Sequence, residues 1–191
     1  MNISDDRKRN VVLAVTGASG AVYARRFLER ASAAGNAAVH LLMTDTAREV
    51  WRHELGAGHI EGSCSILENN RFDSPFCSGS AAADVMVVMP CSMGTLARIA
   101  AGTADDAVAR IADVQLKERR PLILVPRETP LNLIHLRNMV TLTEAGAVIA
   151  PAAPGFYHRP ESLDSLVDAF VSRILELAGI APLDEAFRWK P

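Results

Sequence analysis

Cysteine, basic excess and long apolar runs are all in short supply in this chain, and each shortage removes a class of protein. Only three cysteines occur, Cys64, Cys77 and Cys91, and none stands in a CxxC or other ligand-like spacing. Neither a disulfide framework nor a zinc site is expected, and a reducing, cytoplasmic compartment fits. Twenty Lys and Arg face 22 Asp and Glu for a net charge of -2, so the basic face of a nucleic-acid binder is missing. No apolar stretch approaches the roughly 20 residues that span a bilayer. The charged N-terminus MNISDDRKRN is not an apolar signal segment, and residues 1–10 read as a flexible lead. HExxH is absent, and His53 and His59 do not share one helical face, so no metal site is expected.

What is present is apolar content. Hydrophobic residues make up 49% of 191 positions, enough for one domain with a sizeable core and suggestive of apolar surface covered by other subunits. Strand-length apolar runs, Val11 to Val15, Val39 to Met43, Val85 to Met89, Leu122 to Val125 and Ala147 to Ile149, lack polar alternation. Strands buried on both faces look like this. Between them run helical patterns, Ala21 to Ala34, Thr46 to Leu55, Leu96 to Ala101, Asp106 to Arg119, Leu131 to Ala145 and Leu163 to Leu177. The first three end at Gly35, Gly56 and Gly102, as C-terminal caps do. The alternation predicts a single α/β domain over 11–180, three layers with a mostly parallel sheet. Residues 57–83 are small, polar and turn-rich, a loop expected to be functional or mobile. The tail 181–191, APLDEAFRWKP, is irregular, and Trp189 is expected to dock it.

Four stretches can carry chemistry. VTGASGA at 15–21 is a glycine turn between the first strand and the first helix, where backbone N–H groups can face a phosphate or an aromatic cofactor. It resembles the turn of short-chain dehydrogenases, but their tyrosine with a lysine four residues on is absent: Phe27 follows Tyr23 and Glu161 follows Tyr157 at that spacing. Asp45 could still serve a ribose. In MPCSMGTLARIA at 89–100, Ser92 is a candidate N-cap, and the N–H groups of Met93, Gly94 and Thr95 could face the same ligand. Cys91 reads as packing rather than as a nucleophile. PLILVPRETP at 121–130 delivers Arg127 and Glu128 at a buried strand's end, just after KERR at 117–120, which by itself reads as a solvated helix end. In APGFYHRP at 153–160 the prolines and glycine hold Tyr157, and Arg173 follows on the last helix. Glu54, read alone, is an ordinary surface residue.

In this order, TGASGA, PCSMGTLA, ADVQLKERRPLILVPRETPL, HLRNM, GAVIAPAAPGFYHRP and the final helix resemble the flavin prenyltransferases, the UbiX family within the homo-oligomeric flavin-containing cysteine decarboxylases. The resemblance implies a flavodoxin-like (Rossmann-like) fold and a metal-independent transferase that joins a dimethylallyl group from dimethylallyl monophosphate to N5 and C6 of reduced FMN. The prenylated FMN would go to a UbiD-type decarboxylase, and the enzyme would be a dodecamer with flavin sites where subunits meet. By position, Gly17, Ala18, Ser19, Thr44, Ser92, Met93, Gly94, Thr95 and Arg127 correspond to FMN contacts. Ser78, Arg110, Lys117, Arg127, Glu128, Tyr157 and Arg173 would take the prenyl phosphate. Catalysis would involve Glu128, Glu54, Lys117 and Ser19. Glu128 would be a general acid toward the leaving phosphate, and either Glu54 or the released phosphate the base for the C6 proton. Lys117 thereby becomes a candidate ligand, whereas Arg119 and Arg120 keep the solvated reading.

The chain departs from the family pattern with Thr44 for a common serine, Phe72 near a position where some relatives carry tryptophan, and a shortened 57–71 segment. Two rival readings stay open. A flavin-dependent cysteine decarboxylase would carry a PxMNxxMW-like clamp, where this chain has PLNLIHLRNM. A flavin-storage module would bind FMN but no prenyl phosphate.

Overall fold

The computed structural model describes residues 7–56, 64–182 and 184–189. Six strands, β1 (Arg9–Val15), β2 (Ala37–Met43), β3 (Cys64–Glu68), β4 (Val85–Cys91), β5 (Leu122–Pro126) and β6 (Val148–Ile149), pair only in parallel, in the order β3-β2-β1-β4-β5-β6. The helices are α1 (Ala21–Ala34), α2 (Asp45–Leu55), α3 (Met93–Ala100), α4 (Ala107–Lys117), α5 (Leu133–Glu144) and α6 (Leu163–Leu177). The expected α/β three-layer architecture is therefore present, with the sheet wholly parallel.

Side chains alternate across each strand, and the two sheet faces feed two cores. Val11, Leu13 and Val15 join Phe27 and Leu28 of α1 and Val171 and Ile174 of α6. Val12 and Ala14 join Leu96 of α3 and Val108, Ile111 and Ala112 of α4 on the other face. Burial on both sides explains why the strands read as unbroken apolar runs.

One strand departs from expectation. The turn-rich segment contains β3, which pairs with β2 through Val39 to Met43 at the sheet edge. Its residues are half-buried or exposed, Ile66 at 61%, so the strand carries no apolar run to betray it. Residues 1–6 of the N-terminal lead, 57–63 of the loop with His59, and Leu183, Lys190 and Pro191 of the tail lie outside the described residues. Among those described, no helix is long and apolar enough to cross a membrane, and no group of His, Cys, Asp or Glu is arranged to hold a metal.

Strand order reverses between β1 and β4, which lie side by side while their successors run in opposite directions. The crevice beyond the carboxyl ends of such a pair is where open α/β sheets bind ligands.

Candidate active site

The two turns that leave β1 and β4 are tied together. Thr16, buried, donates its hydroxyl to the Pro90 carbonyl (2.9 Å) and accepts the Ser92 N–H (2.7 Å). Gly17 follows with no room for a side chain, because a Cβ there would sit 2.6 Å from Cγ2 of Thr46. Gly17→Ala should thus displace the first turn of α2 and weaken flavin binding roughly tenfold, an overpacking cost of about 1–3 kcal/mol. Adding Thr46→Ser, which removes the opposing methyl but leaves Cβ 2.9 Å away, should restore only part of it; a flavin fluorescence titration reads both.

Three helix starts surround the crevice. Thr44 caps α2 by accepting the Ala47 N–H (3.1 Å), Ser92 caps α3 through the Thr95 N–H (3.3 Å), and Asp106 caps α4 through the Ala109 N–H (2.8 Å). Between them lies a cleft of about 370 Å3 lined by Gly17, Thr44, Thr46, Asn69, Ser92, Gly94, Thr95, Arg98 and Asp106. Gly94 points into open space, with no atom within 4 Å of where a Cβ would be. Helix N-termini carry partial positive charge and free N–H groups, so the cleft suits an anionic ligand with a flat or polar body.

Sequence reasoning missed four of these lining residues, Thr46, Asn69, Arg98 and Asp106. Arg98 reaches Asp105 and Asp106, each at 2.9 Å, and Asn69 accepts the Val108 N–H (3.1 Å) while donating to Asp106 (3.3 Å). Burial alone would lower the Arg98 pKa, but its hydrogen bonds and the charges of Asp106 and Asp105 outweigh that and hold it charged. The Asp106 cap was a readable signal; Asn69 lay in the segment read as a turn-rich loop. Cys91 is fully buried, and burial pushes its thiol up to about 12, consistent with packing and unfit for a thiolate nucleophile.

Glu54 is no ordinary surface residue. From the last turn of α2 it reaches across to accept the N–H groups of Gly20 (3.0 Å) and Ala21 (2.8 Å) at the start of α1. Gly20, at φ 114, brings no side-chain cap of its own, so Glu54 supplies one from 34 residues away. Burial pushes its carboxyl up, yet hydrogen bonds from Ser19, Gly20 and Ala21 and the charge of Arg127 prevail, leaving the pKa below the usual carboxylate range. A carboxyl with a depressed folded-state pKa contributes stability above its unfolded pKa and loses it as pH falls through the folded value. Glu54→Gln should therefore cost about 1 kcal/mol at neutral pH and flatten the loss of stability in acid, as thermal melts across pH would read.

Arg127 leaves the end of β5 and donates from Nε to the Ser19 carbonyl (3.1 Å), which brings the strand's terminal charge onto the glycine turn. Glu128 is exposed beside it, and its Oε1 accepts the Thr129 N–H (3.1 Å). The structure thus gathers Gly17, Ala18, Ser19, Thr44, Glu54, Ser92, Met93, Gly94, Thr95, Arg127 and Glu128 at the carboxyl edge of the sheet.

The remaining expected phosphate ligands lie elsewhere in the same chain. Lys117 ends α4, at the opposite edge from Arg127, with the five residues of β5 between the two edges, about 16 Å of strand. Its ammonium pairs with Glu118 (2.5 Å) over Gly79, where a Cβ would come within 2.4 Å of Nζ. Ser78 lies beside that glycine, hydrogen-bonded to Ser80 (3.0 Å), and Arg110 donates to the Cys77 carbonyl (3.1 Å). Tyr157 and Arg173 are linked only through the tail, by Trp189 and Arg188. Tyr157, 54% exposed, meets the Trp189 ring edge-on at 5.8 Å, and Arg173 pairs with Glu176, which Arg188 also approaches at 3.9 Å.

Comparison with known proteins fits this geometry. The family described as Flavoprotein matches residues 2–175. A flavin prenyltransferase UbiX from Methanothermobacter thermautotrophicus is 44% identical over 173 residues, spanning 89% of this chain and 90% of its own. The crystal structure of AnUbiX (PadA1) in complex with FMN and dimethylallyl pyrophosphate superposes with a TM-score of 0.89 at 42% identity, covering 97% of this chain and 99% of that one. A dodecameric FMN-dependent UbiX-like decarboxylase from Escherichia coli O157:H7 reaches the same TM-score of 0.89 at 37% identity, over 95% and 100% of the two chains. Matched by the Flavoprotein family over residues 2–175 and by a flavin prenyltransferase UbiX at 44% identity across about nine-tenths of both chains, the chain belongs to the UbiX flavin prenyltransferase family.

Proposed function

We propose that this protein prenylates reduced FMN, using dimethylallyl monophosphate as donor and releasing phosphate. The observation that carries the reading is the cleft lined by Gly17 and Gly94 and by the N-terminal ends of α2 and α3, with the β5 arginine fixed on the adjoining glycine turn through Ser19, together with the FMN and dimethylallyl pyrophosphate held by the 42% identical AnUbiX. Reduced FMN would supply N5 and C6 as nucleophilic positions: N5 would displace phosphate at C1 of the dimethylallyl group and give up its proton, the alkene would take a proton at C2, and C6 would bond to the tertiary C3 so left electron-poor and lose its own proton, one of the two released protons going to phosphate.

The chain's residues take the following parts. Gly17, Ala18 and Ser19 with Thr44 and Ser92 to Thr95 hold the flavin. Arg127, fixed on Ser19, faces the leaving phosphate, where negative charge develops and a guanidinium fork is worth most. Glu128 exchanges a proton with that phosphate. Glu54, bound to three N–H or hydroxyl donors and more acidic than usual, holds the turn and is a poor base, which leaves the released phosphate as the better acceptor of the C6 proton.

Ser78, Arg110 and Lys117 form one patch and Arg127 and Glu128 another, while Tyr157 and Arg173 are a third set, linked only through the tail. A single phosphate can meet all three only where copies of the chain come together. Exposed Leu133, Ile134 and Val140 on α5 and Phe156 beside Tyr157 give apolar surface for such contacts, and the dodecameric relative sets the expected size. The product is destined for a UbiD-type decarboxylase, and the free cysteines fit a reducing cytoplasm.

Anaerobic incubation with reduced FMN and either dimethylallyl monophosphate or the diphosphate, followed by mass spectrometry, tests the proposal. A flavin heavier by one five-carbon unit is expected with the monophosphate. Unchanged flavin from folded, FMN-loaded protein with both donors would overturn the reading.

A further inference from the structure

At the amino edge of the sheet, away from the flavin cleft, lies a cavity of about 490 Å3 lined by Arg7, Arg9, Asn36, Asp84, Arg120 and Pro121. Its arginines come from separate parts of the fold. Arg7 precedes β1, Arg9 begins it, and Arg120 is placed by the turn after α4, where Arg119 takes the left-handed conformation (φ 53) and the Arg120 N–H closes on the Gln115 carbonyl (2.8 Å).

Among the described residues, one carboxylate faces these three guanidinium groups. Asp84 accepts Arg7 through both oxygens (2.8 and 2.9 Å) and the Asn10 N–H (2.8 Å), and Arg120 approaches it at 3.7 Å. Asp84 is saturated by these partners, and its pKa is pulled below the ordinary range, first by the Arg7 hydrogen bonds. Among the described residues the lining therefore carries an excess of two positive charges, with Arg120 in only a long ion pair to Asp84.

Arg9 is the telling residue. Its Nε is buried with no hydrogen-bond partner, and among the described residues its side chain makes no hydrogen bond or ion pair. Its guanidinium lies against Gly179, where a Cβ would stand 3.0 Å from Nη1. The carboxyl ends of α1 and α6, at Gly35 and Gly179, account for positive charge at this edge. They do not account for three guanidinium groups gathered on one open cavity; Arg9 Nε itself is closed to solvent, so a ligand there would meet the terminal nitrogens of the Arg9 fork.

We propose that this cavity binds a phosphate group, carried by a small monoester or free, with Arg9 and Arg120 as its ligands and the Arg7–Asp84 pair as a fixed wall. An excess of two guanidinium charges suits a phosphate dianion in charge and in fork geometry, whereas a monocarboxylate would leave one of them uncompensated.

The test is calorimetry on the FMN-loaded protein at constant ionic strength, with inorganic phosphate, adenosine monophosphate and adenosine as titrants. Arg9→Gln and Arg120→Gln should each weaken phosphate binding here about tenfold or more, with prenyl transfer unchanged. Arg9→Lys, which keeps the charge and loses the fork, should fall between. Arg173→Ala serves as the control for phosphate bound in the proposed donor clamp. Tighter binding of adenosine monophosphate than of phosphate supports a monoester ligand, and equal or weaker binding supports free phosphate. The proposal is overturned if both glutamine variants, folded by their melting curves, bind phosphate as the parent does. It also falls if Arg173→Ala abolishes all phosphate binding, or if adenosine binds as well as its monophosphate.

Discussion

Replacing Glu128 with glutamine is expected to slow prenyl transfer about a hundredfold or more, while FMN affinity changes by no more than about threefold, since a positioned general acid contributes roughly 10²–10⁴. The separation follows from position. Glu128 is exposed one residue beyond Arg127, binds only its neighbour's N–H, and does not line the flavin cleft. Glutamine keeps the size and a hydrogen-bonding oxygen but can neither give nor take a proton. Single-turnover rates under anaerobic conditions, beside a fluorescence titration of FMN, measure the two quantities independently. An unaltered rate would remove Glu128 from proton transfer, and a parallel loss of FMN affinity would make it a binding residue.

The second large effect concerns mixed assemblies. Lys117→Ala and Arg173→Ala should each reduce transfer by two orders of magnitude or so, as loss of a charged contact to a developing anion does. Co-assembled after joint unfolding and refolding, the two inactive variants should regain about a quarter of parental activity, because random mixing of a symmetric oligomer gives that share of sites two intact contributors from different copies. If both residues served a phosphate within one chain, mixing would restore nothing. Within a protomer, Lys117 sits beside Gly79 at the end of α4, whereas Arg173 pairs with Glu176 on α6, whose helix packs on the other sheet face. Activity of the mixture no greater than that of either variant alone would refute the shared clamp.

The parallel sheet was legible because β4, β5 and β1 from Val11 on are apolar and buried on both faces and the β2 run is broken only by His40, and α1 and α6 match their hydrophobic periods to the residue. The strand Cys64–Glu68 was not, since an edge strand with exposed Ile66 and Glu68 needs no apolar run and is defined by pairing with β2. The α3 start at Met93 lies three residues before the apolar period begins, set by the Ser92 cap. Site residues were legible where a local motif carries them, as with the glycine turn. Glu54 was not, because its partners are 34 and 33 residues away and a helix-surface glutamate has no mark of its own. Arg98 escaped for the same reason: its role depends on Asp105 and Asp106 folding back onto α3. Lys117 proves to be both a last-turn cation of α4, as KERR alone suggested, and part of a polar patch with Ser78.

The uncovered apolar face of α5 has a thermodynamic consequence. Leu133 at 59%, Ile134 at 66% and Val140 at 57% exposure, with Trp189 at 69%, leave the isolated protomer with an unspent hydrophobic driving force. With copies of the chain covering these residues, folding and association become linked equilibria, and the melting temperature rises with protein concentration. Resistance to heat then belongs to the assembly rather than to the chain, and a dilute solution is the place to find its weakest state.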